Sequence, residues 1–310
     1  MTGRAFVVGA HIPNGGTFMA YHLGRILQLD FGFQGVAVAV GGEAADHGVF
    51  AYDPPFPSIG VAEMESTITD DDLLIANPSF SPFFFGLKCR GRKVMYVQDF
   101  KTFSLLDCRF DLYVSVSEVV RRFLSCTWGI DTAVIPPFIQ AAGFPPAPPW
   151  RERPADSVLV LMKGDPAHQG FMLDRLRQLV GAAAALVPGP AGKVPRHELV
   201  ECMGRYRHVV TLSVAEGFGL MPLEAMAMGA TLLGFDGIGG RDYMRSGVNC
   251  AVVAYPDLEG VAESILAALR APDEAEALAM VGWATATAPL YTQERFRADW
   301  SGQFARILGR

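Results

Sequence analysis

The chain has 310 residues, of which 50% are hydrophobic and 19% charged. It is too long for one core of ordinary size and fits two domains of about 150 residues each. Its hydrophobic content excludes wholesale disorder. The formal net charge of −6 argues against a general nucleic-acid-binding protein, which is normally basic. We therefore expect a two-domain globular protein with no nucleic-acid partner.

The cysteines and the apolar segments indicate the compartment. The five cysteines are scattered and form no CxxC or Cys/His cluster, which favours reduced thiols over disulfides or a zinc site. The first apolar run, residues 5–10, is broken by His11 and Pro13 and predicts a strand, not a signal peptide. No apolar stretch reaches the roughly 20 residues of a membrane span. These features predict a soluble, cytoplasmic protein.

Short apolar runs alternate with helical patterns, which is typical of parallel α/β architecture. The runs lack in–out alternation, as expected when helices cover both faces of a sheet. In the first half the predicted strands are Ala5–Gly9, Gly35–Val40, Leu73–Ala76, Lys93–Val97 and Leu112–Ser115. In the second half they are Ser157–Leu161, Ala183–Val187, His208–Leu212, Thr231–Phe235 and Ala251–Val253.

A proline-rich stretch separates the halves. Six prolines between residues 135 and 149 forbid regular helix or central strand and predict a stiff connector. We place the boundary near residue 143, giving domains 1–143 and 144–310. A final helix over 292–308 carries one apolar face, formed by Phe296, Trp300, Phe304 and Ile307. That face fits either its own domain or, by crossing back, the first.

The most informative segment is residues 211–229. A strand ends near Ser213, a glycine-containing loop follows, and a helix is predicted to begin near Leu220 with Pro222 in its first turn. Ligands bind at the carboxyl ends of strands in parallel sheets, where this loop lies. The backbone amides of Gly217–Leu220, which include Phe218 and Gly219, and the helix N-terminus favour a phosphate.

Two glutamates lie in this segment, Glu216 in the loop and Glu224 in the helix. Carboxylates repel phosphate, so their expected task is to accept hydrogen bonds from neutral hydroxyls. The hexose and the ribose of a sugar nucleotide supply such hydroxyls. From the spacing alone an equally weighted alternative is that Glu216 caps the helix and Glu224 is solvated.

This segment resembles the E-x7-E element of glycosyltransferase family 4, matching it at Glu216-Gly-Phe-Gly219 and Glu224-Ala-Met-Ala-Met-Gly229. The resemblance implies a GT-B fold, in which two Rossmann-like domains face each other across a cleft. It also implies a retaining transfer from a nucleotide sugar, in which Glu216 contacts the transferred sugar and Glu224 the donor ribose.

The resemblance extends to neighbouring segments. Residues 235–244, which contain Arg241, look like the family's strand–GG–helix segment, and residues 246–253 like its following strand. Residues 112–122 and 134–139 are similar to upstream elements of the family. Ser117, at the start of a predicted helix, has two interpretations, a ligand contact and the favoured N-cap.

Two segments of the first half complete the candidate site. Gly15 and Gly16 permit close backbone approach before a helix beginning near Thr17, and resemble the family's Gly-Gly loop for donor phosphates and acceptor. An ordinary tight turn is the alternative. Gln98 and Asp99 end a strand where many family members have His-Asp. The Gln-Asp form resembles bacterial rhamnosyltransferases, and implies contact with sugar or acceptor; simple strand-end hydrogen bonding is the alternative.

The chain departs from the family after the first strand of its second half. The family's G-R-x-x-x-x-K-G motif holds the diphosphate with two cations, whereas Gly164 and Gln169 stand at those positions here. Lys163 and His168 lie beside them, and we expect Lys163, His168 or Arg241 to compensate. Losing two cations otherwise weakens stabilisation of the leaving group.

Three other patterns are weaker. Asp70-Asp-Asp72 contains a D-x-D pattern typical of metal sites, but it precedes a strand and predicts a solvated turn, so no metal is assigned. Gly237-Ile-Gly-Gly240 has Asp242 where a dinucleotide motif needs its third glycine. Residues 79–93 mix aromatics with four cations, favouring a buried helix and basic loop over a surface for an anionic membrane.

We therefore predict a retaining, metal-independent glycosyltransferase in glycan, polysaccharide or glycoconjugate biosynthesis, without a cofactor. Its predicted partners are a UDP-, GDP- or dTDP-sugar donor and a sugar, lipid-linked or small-molecule acceptor. The Gln-Asp resemblance favours a deoxy sugar such as rhamnose on dTDP. Contact with the inner face of a membrane stays open. The alternatives are an inactive sugar-nucleotide-binding homologue and a Rossmann oxidoreductase, which the missing dinucleotide motif disfavours.

Overall fold

The computed structural model describes residues 3–10, 14–41, 56–190, 194–270 and 274–310. Two compact units divide the chain, one formed by residues 1–137 with 293–310 and the other by residues 138–292. Each unit is built on its own parallel sheet.

The first unit contains seven strands in the spatial order β3-β2-β1-β4-β5-β6-β7. The strands are β1 (Arg4–Gly9), β2 (Gln34–Ala39), β3 (Ser58–Gly60), β4 (Leu73–Ala76), β5 (Arg92–Val97), β6 (Leu112–Ser115) and β7 (Ala133–Val134). The helices are α1 (Gly15–Phe31), α2 (Val61–Thr67), α3 (Phe85–Lys88), α4 (Glu118–Trp128) and, from the end of the chain, α10 (Gln293–Leu308).

The five strands predicted in the first half are present, since β1, β2, β4, β5 and β6 coincide with them to within a residue at each end. β1 lies in the middle, pairing Val7 with Ala37 of β2 and with Ile75 of β4. The apolar run predicts this position because a central strand is covered on both faces. β3 and β7 were not predicted, because two or three residues give no pattern.

The second unit contains five strands in the order β12-β11-β10-β8-β9. They are β8 (Ser157–Leu161), β9 (Ala185–Pro188), β10 (His208–Thr211), β11 (Thr231–Phe235) and β12 (Ala251–Val253). The helices are α5 (Pro166–Val180), α6 (Arg196–Gly204), α7 (Leu220–Ala227), α8 (Leu258–Arg270) and α9 (Glu274–Thr287). All five predicted strands are found.

The hydrophobic core of this unit holds its sheet rigidly against the helices. Val158, Val210 and Leu233, from three neighbouring strands, are buried in one cluster with Leu176 of α5 and Ile265 of α8. The strand side chains are 0–1% exposed. Burying such side chains stabilises by about 1.5–3 kcal/mol each before the entropy of ordering is counted. The carboxyl ends of the strands are therefore held on a rigid support.

The proline-rich connector contains no strand after β7 and only single 3-10 turns at Ala141–Gly143 and Trp150–Glu152. Arg153 fastens its end to the second unit. The guanidinium donates hydrogen bonds to the carbonyl oxygens of Pro148 at 2.9 Å, Tyr206 at 3.1 Å and Met228 at 2.8 Å. This charged group, 6% exposed, satisfies carbonyls that the loops would otherwise bury unpaired.

The last helix packs on the first unit. Its predicted apolar face is buried at Phe296, Trp300 and Phe304, and the Trp300 ring lies 5.0 Å from that of Tyr96 in β5. Arg297 forms an ion pair with Asp30 of α1. The sequence left open which half this helix would contact. Among the described residues, no helix combines the length and apolar character that crossing a bilayer requires.

The prediction of a solvated turn at Asp70–Asp72 is wrong for its last residue. Asp72 is 3% exposed, and its carboxylate accepts hydrogen bonds from Arg4 Nη2 at 2.7 Å and Thr69 N at 2.8 Å. The cause is Arg4 at the start of the adjacent strand, which gives the carboxylate a charged partner. Within the described ranges, no group of three His, Cys, Asp or Glu residues is arranged to hold a metal ion.

The aromatic and basic segment at residues 79–93 is less buried than predicted. It forms a 3-10 helix at Pro78–Phe83 and the one-turn helix α3. Phe85 is buried, but Phe84 and Leu87 are 48% and 75% exposed. The helix is too short to bury more than one side of itself, and the alternative of a membrane-contacting surface here stays open.

Candidate functional site

The carboxyl ends of the second unit's strands gather the predicted site residues. Chain order reverses between β8 and β10, because β9 lies on the outer side of β8. Such a switch point is where open α/β sheets bind ligands. Lys163 follows β8, Glu216 follows β10, and Arg196 begins the helix after β9. The elements converge at one edge of the sheet.

The loop after β10 is held by its neighbour after β11. The backbone N–H of Glu216 donates to Gly237 O at 2.8 Å. A Cβ at Gly239 would lie 2.5 Å from the carbonyl carbon of Gly217, so only glycine allows this approach. Gly219 has φ of 92° and is the N-cap of α7, which begins at Leu220 as predicted. Its carbonyl accepts the Tyr243 hydroxyl at 2.5 Å.

Glu216 is brought into an ion pair. The residue is 8% exposed, and its Oε2 lies 2.7 Å from Nζ of Lys163, a side chain that is 47% exposed. Its other oxygen, Oε1, is buried and has no hydrogen-bond partner among the residues that the structure describes. A buried carboxylate oxygen without a donor is costly, and a ligand hydroxyl would remove that cost.

Glu224 lies deeper, one helix turn into α7, and is 2% exposed. Arg196 forms an ion pair with its Oε1. Burial raises the pKa of the Glu224 carboxyl above its usual value, whereas the positive charges of Arg196 and then Lys163 act to lower it and Glu216 acts to raise it. Lys163, Arg196, Glu216 and Glu224, hereafter the charge cluster, therefore interact electrostatically as one group. The solvated alternative for Glu224 does not describe this buried side chain.

Between the two glutamates, the loop presents backbone peptide groups to a ligand rather than side chains. The Phe218 ring is buried against the rings of Tyr243 and Tyr291, at centroid distances of 5.1 and 5.2 Å. Gly217 and Gly219 have no side chain, and Leu220 is partly buried at the first turn of α7. A ligand can therefore be met here by peptide groups and by the helix N-terminus.

The region where the family's two cations are missing has its own structure. Gln169, at the lysine position, is 4% exposed and its Nε2 donates to Leu212 O at 3.2 Å, which attaches α5 to the loop after β10. Gly164, at the arginine position, has φ of 118°, a conformation that disfavours a side chain. His168 is partly exposed in the first turn of α5, with its ring 6.1 Å from that of Tyr255.

Arg241 is engaged elsewhere. Its Nε lies 2.7 Å from Oδ2 of Asp236, and its side chain is 53% exposed. Asp236 in turn accepts the backbone N–H of Ile238 at 2.8 Å. Of the three cations predicted to compensate, the structure therefore brings Lys163 to the glutamates and pairs Arg241 with the loop after β11.

In the first unit the structure brings Gly16 and Gln98 together. The Gln98 Nε2 donates to Gly16 O at 2.9 Å, and a Cβ at Gly16 would lie 2.6 Å from Gln98 Oε1. α1 begins at Gly15, and Asn14 caps it by accepting from Thr17 N at 2.8 Å. The preceding His11–Pro13 portion of the predicted loop lies outside the described residues.

Two predicted residues serve local structure. Asp99 Oδ1 accepts from Thr102 N at 3.0 Å and Thr102 Oγ1 at 2.8 Å, which closes a turn after β5. Ser117 is fully buried and caps α4 by accepting from Val120 N at 3.2 Å. These contacts agree with the alternatives of strand-end hydrogen bonding and N-capping.

Sequence reasoning missed Arg196. It stands 28 positions before Glu224 and follows Pro195 at the start of a helix, so no spacing or motif connects the two residues. An arginine in the first turn of a helix is also unfavourable to the helix dipole, which is a weak signal of another role.

Comparison with known proteins agrees with this geometry. Residues 190–281, which include both glutamates and Arg196, match the family described as glycosyl transferases group 1. A search of curated proteins by sequence found no match. The matched segment is less than half of the chain.

Solved structures share the fold at low sequence identity. HepE of Anabaena, in complex with UDP and glucose, has a TM-score of 0.76 at 16% identity, covering 100% of both chains. Sucrose-phosphate synthase from Thermosynechococcus elongatus has a TM-score of 0.72 at 14% identity, also covering 100% of both. A mutant of S. aureus TarM, in complex with Fondaparinux, alpha-GlcNAc-glycerol and UDP, has a TM-score of 0.62 at 16% identity. That match covers 79% of this chain and 58% of the TarM chain.

The two parallel-sheet units have the α/β GT-B fold that was predicted from the sequence. Residues 190–281 match the model of group 1 glycosyl transferases, which agrees with the predicted class of enzyme.

Proposed function

We propose that this chain is a retaining glycosyltransferase of family 4 that transfers a sugar from a nucleotide-sugar donor to an acceptor hydroxyl, without an essential metal. The observation that carries the proposal is the buried Oε1 of Glu216, which has no donor among the described residues, beside the N-terminus of α7. A sugar hydroxyl supplies the missing donor, and the diphosphate fits the amides of the helix N-terminus.

Glu224 has the properties of a ribose-binding residue in this proposal. It is buried one turn further along the same helix, where a carboxylate accepts hydrogen bonds from vicinal hydroxyls. The charge cluster therefore matches a ligand with hydroxyls at both ends and negative charge between them. A sugar nucleotide has this order of groups.

Lys163 replaces the missing cations in our proposal. Its side chain is half exposed and its Nζ is 2.7 Å from Glu216, so the ammonium lies beside the carboxylate that receives the sugar. A charge-assisted contact with the leaving diphosphate contributes on the order of 1.5–3 kcal/mol. The N-terminal end of α7 adds a positive partial charge.

The reaction follows from these positions. The bond between the anomeric carbon and the diphosphate oxygen breaks, and a bond to the acceptor oxygen forms on the same face of the sugar. The acceptor proton passes to the leaving phosphate oxygen. The chain's contribution is to orient the sugar through Glu216 and to stabilise the charge developing on the phosphate through Lys163 and the helix terminus.

For the donor we propose a UDP-sugar, with GDP- and dTDP-sugars as alternatives. The support is that the HepE and TarM structures contain UDP. The rhamnosyl donor on dTDP stays a prediction from Gln98 and Asp99. We expect a sugar, lipid-linked or small-molecule acceptor and a place in polysaccharide or glycoconjugate synthesis. The ligand roles predicted for Gly15, Gly16 and Thr17 also stay predictions.

The second candidate is a homologue that binds sugar nucleotides without transferring sugar. Gly164 and Gln169 favour it, because neither provides a cation at the family's phosphate positions. One experiment separates the candidates. The full chain is incubated with a panel of UDP-, GDP-, ADP- and dTDP-sugars, and donor binding, donor hydrolysis and transfer to a range of acceptors are measured. Binding with hydrolysis or transfer supports the enzyme, and binding alone supports the homologue.

The oxidoreductase alternative has a specific argument against it. Gly239 is packed against the backbone of Glu216 and Gly217, so this glycine serves chain packing, and Asp242 stands where a dinucleotide motif needs its third glycine. A thermal shift with NAD(H) or NADP(H) would contradict this conclusion.

A further inference from the structure

The ion pair between Arg196 and Glu224 is unusually buried for a charged pair. Side-chain exposure is 16% for the arginine and 3% for the glutamate. Removing charges from water is expensive, and a buried pair gives little or no net gain over apolar residues of similar size. Stability alone is therefore a weak reason for the pair, and a role in ligand recognition is a better one.

Three charged groups act on the pKa of Glu224, in addition to its burial. Arg196 faces it from α6 and Lys163 from the loop after β8, while Glu216 lies in the loop after β10. The buried Tyr243 hydroxyl adds no charge, because burial raises its pKa well above the usual value and it stays neutral. Arg196 is the largest influence that opposes burial, and it is in direct contact with the carboxylate. Removing Arg196 would therefore shift the pKa of Glu224 further upward and favour its protonated form.

The charge state decides how well Glu224 can bind a ribose. A carboxylate accepts hydrogen bonds at both oxygens, whereas a protonated carboxyl is a weaker acceptor and presents a donor of its own. Hydrogen bonds to a charged acceptor are also about twice as strong as neutral ones. An oriented, ionised Glu224 is thus the form that two neighbouring ribose hydroxyls require.

We propose that Arg196 is a positioning residue for the nucleotide, which holds Glu224 as an ionised and correctly oriented acceptor for the ribose hydroxyls. This inference rests on the proposed function, because it assumes that a nucleotide occupies the charge cluster. It adds a residue from α6 to the recognition of the donor.

The test measures nucleotide affinity of the full chain by titration calorimetry between pH 6 and 9. The probe is the tightest binder among UDP, GDP and ADP, compared with its analogue that lacks the ribose hydroxyls. Binding of dTDP, whose deoxyribose has a single hydroxyl, is measured alongside. The variants are Arg196→Met, which removes the charge at similar volume, Arg196→Lys, Glu224→Gln, and Arg196→Met combined with Glu224→Gln. The double variant removes both charges and therefore leaves no unpaired buried carboxylate. It should fold even if Arg196→Met alone does not.

We expect Arg196→Met to weaken nucleotide binding about tenfold at pH 7, with affinity recovering as the pH rises and Glu224 ionises. Arg196→Lys should remain within about threefold of wild type. The analogue without ribose hydroxyls should bind wild type and Arg196→Met equally. In the Glu224→Gln background the arginine substitution should have no further effect, because its target is gone.

The outcomes are distinct. If wild type binds a nucleotide and Arg196→Met weakens the nucleotide and its hydroxyl-free analogue equally at every pH, the arginine is structural and the inference fails. Equal affinity of Arg196→Lys and Arg196→Met, both far below wild type, also overturns it. If wild type binds none of the four nucleotides, the proposed function fails first and takes this inference with it.

Discussion

Replacing Glu216 with glutamine tests the catalytic role that the site geometry supports. The substitution keeps the shape of the side chain and removes its charge. In the proposal the carboxylate accepts a sugar hydroxyl, a charge-assisted hydrogen bond that contributes about 1.5–3 kcal/mol. Since 1.36 kcal/mol is a factor of ten in rate, kcat/KM should fall about 10- to 100-fold. Glu216→Ala removes both carboxylate oxygens and leaves the Lys163 ammonium without its partner, so it should reduce turnover by orders of magnitude.

The fold should tolerate both substitutions. The Lys163 side chain is 47% exposed, so water can solvate the ammonium once its partner is gone. Ion pairs with such exposure contribute about 0–1 kcal/mol. In the alanine variant the buried Oε1, which has no donor among the described residues, is removed as well. The Tm of Glu216→Gln should therefore stay within about 3 °C of wild type.

Initial rates of nucleotide release, measured at several donor concentrations, separate kcat from KM. Glu263→Gln on α8 is the matched control, because it makes the same chemical change at an exposed position. The reasoning is refuted if Glu216→Gln retains wild-type kcat/KM, or if its activity falls only in proportion to a loss of folded protein.

Three further predictions concern the site and the framework. Lys163→Met should lower kcat about 10-fold or more without unfolding the chain, and Lys163→Arg should retain part of the wild-type kcat. Unchanged steady-state rates in Lys163→Met would show that another cation contacts the phosphate. Trp300→Ala should lower the free energy of unfolding, measured in urea, by about 3–5 kcal/mol. The control Trp283→Ala, at a side chain that is 62% exposed, should have little effect. Equal effects of the two substitutions would contradict the packing described for the last helix. Burial, and then the positive charge of the neighbouring Arg207, lowers the pKa of His208 to about 4. Between about pH 6.5 and 4 the unfolded chain therefore binds a proton that the native chain excludes. The free energy of unfolding should fall as the pH drops through this range. His208→Phe should flatten that slope in unfolding measurements and the exposed His197→Phe should not; identical slopes would refute the assignment.

Most of the fold could be predicted because buried parallel strands are nearly continuous apolar runs. Of the twelve strands in the described part of the chain, ten were found this way, including β10 and β11, which position the site. β3 and β7 are too short to give a periodic signal. The helix boundary at Leu220 was predictable from local rules, since proline in a first turn and glycine before it are both sequence features.

Only part of the site could be predicted from the sequence. Glu216 and Glu224 were identified because they share one strand–loop–helix unit with a fixed spacing. Arg196 was missed because its contact with Glu224 arises from the packing of α6 beside α7, which no local pattern specifies. The pairing of Asp72 with Arg4 was missed for the same reason, as two adjacent strands far apart in sequence bring them together.

The charges of Lys163 and Arg241 show a related limit. Lys163 lies beside the expected phosphate position in the sequence and Arg241 in a later segment that also resembles the family, and the sequence alone does not show which of them reaches the site. The structure separates them, because Lys163 contacts Glu216 whereas Arg241 contacts Asp236. Side-chain partners across strands depend on sheet order, which becomes known only with the fold.

The most direct test is a crystal structure of the full chain with a bound nucleotide sugar, chosen as the donor that gives the largest thermal shift. The account predicts hexose hydroxyls within hydrogen-bond distance of Glu216, ribose hydroxyls at Glu224, and the diphosphate at the N-terminus of α7 within reach of Lys163. A donor bound at another place, with both glutamates still in their present ion pairs and without contact to it, would contradict it.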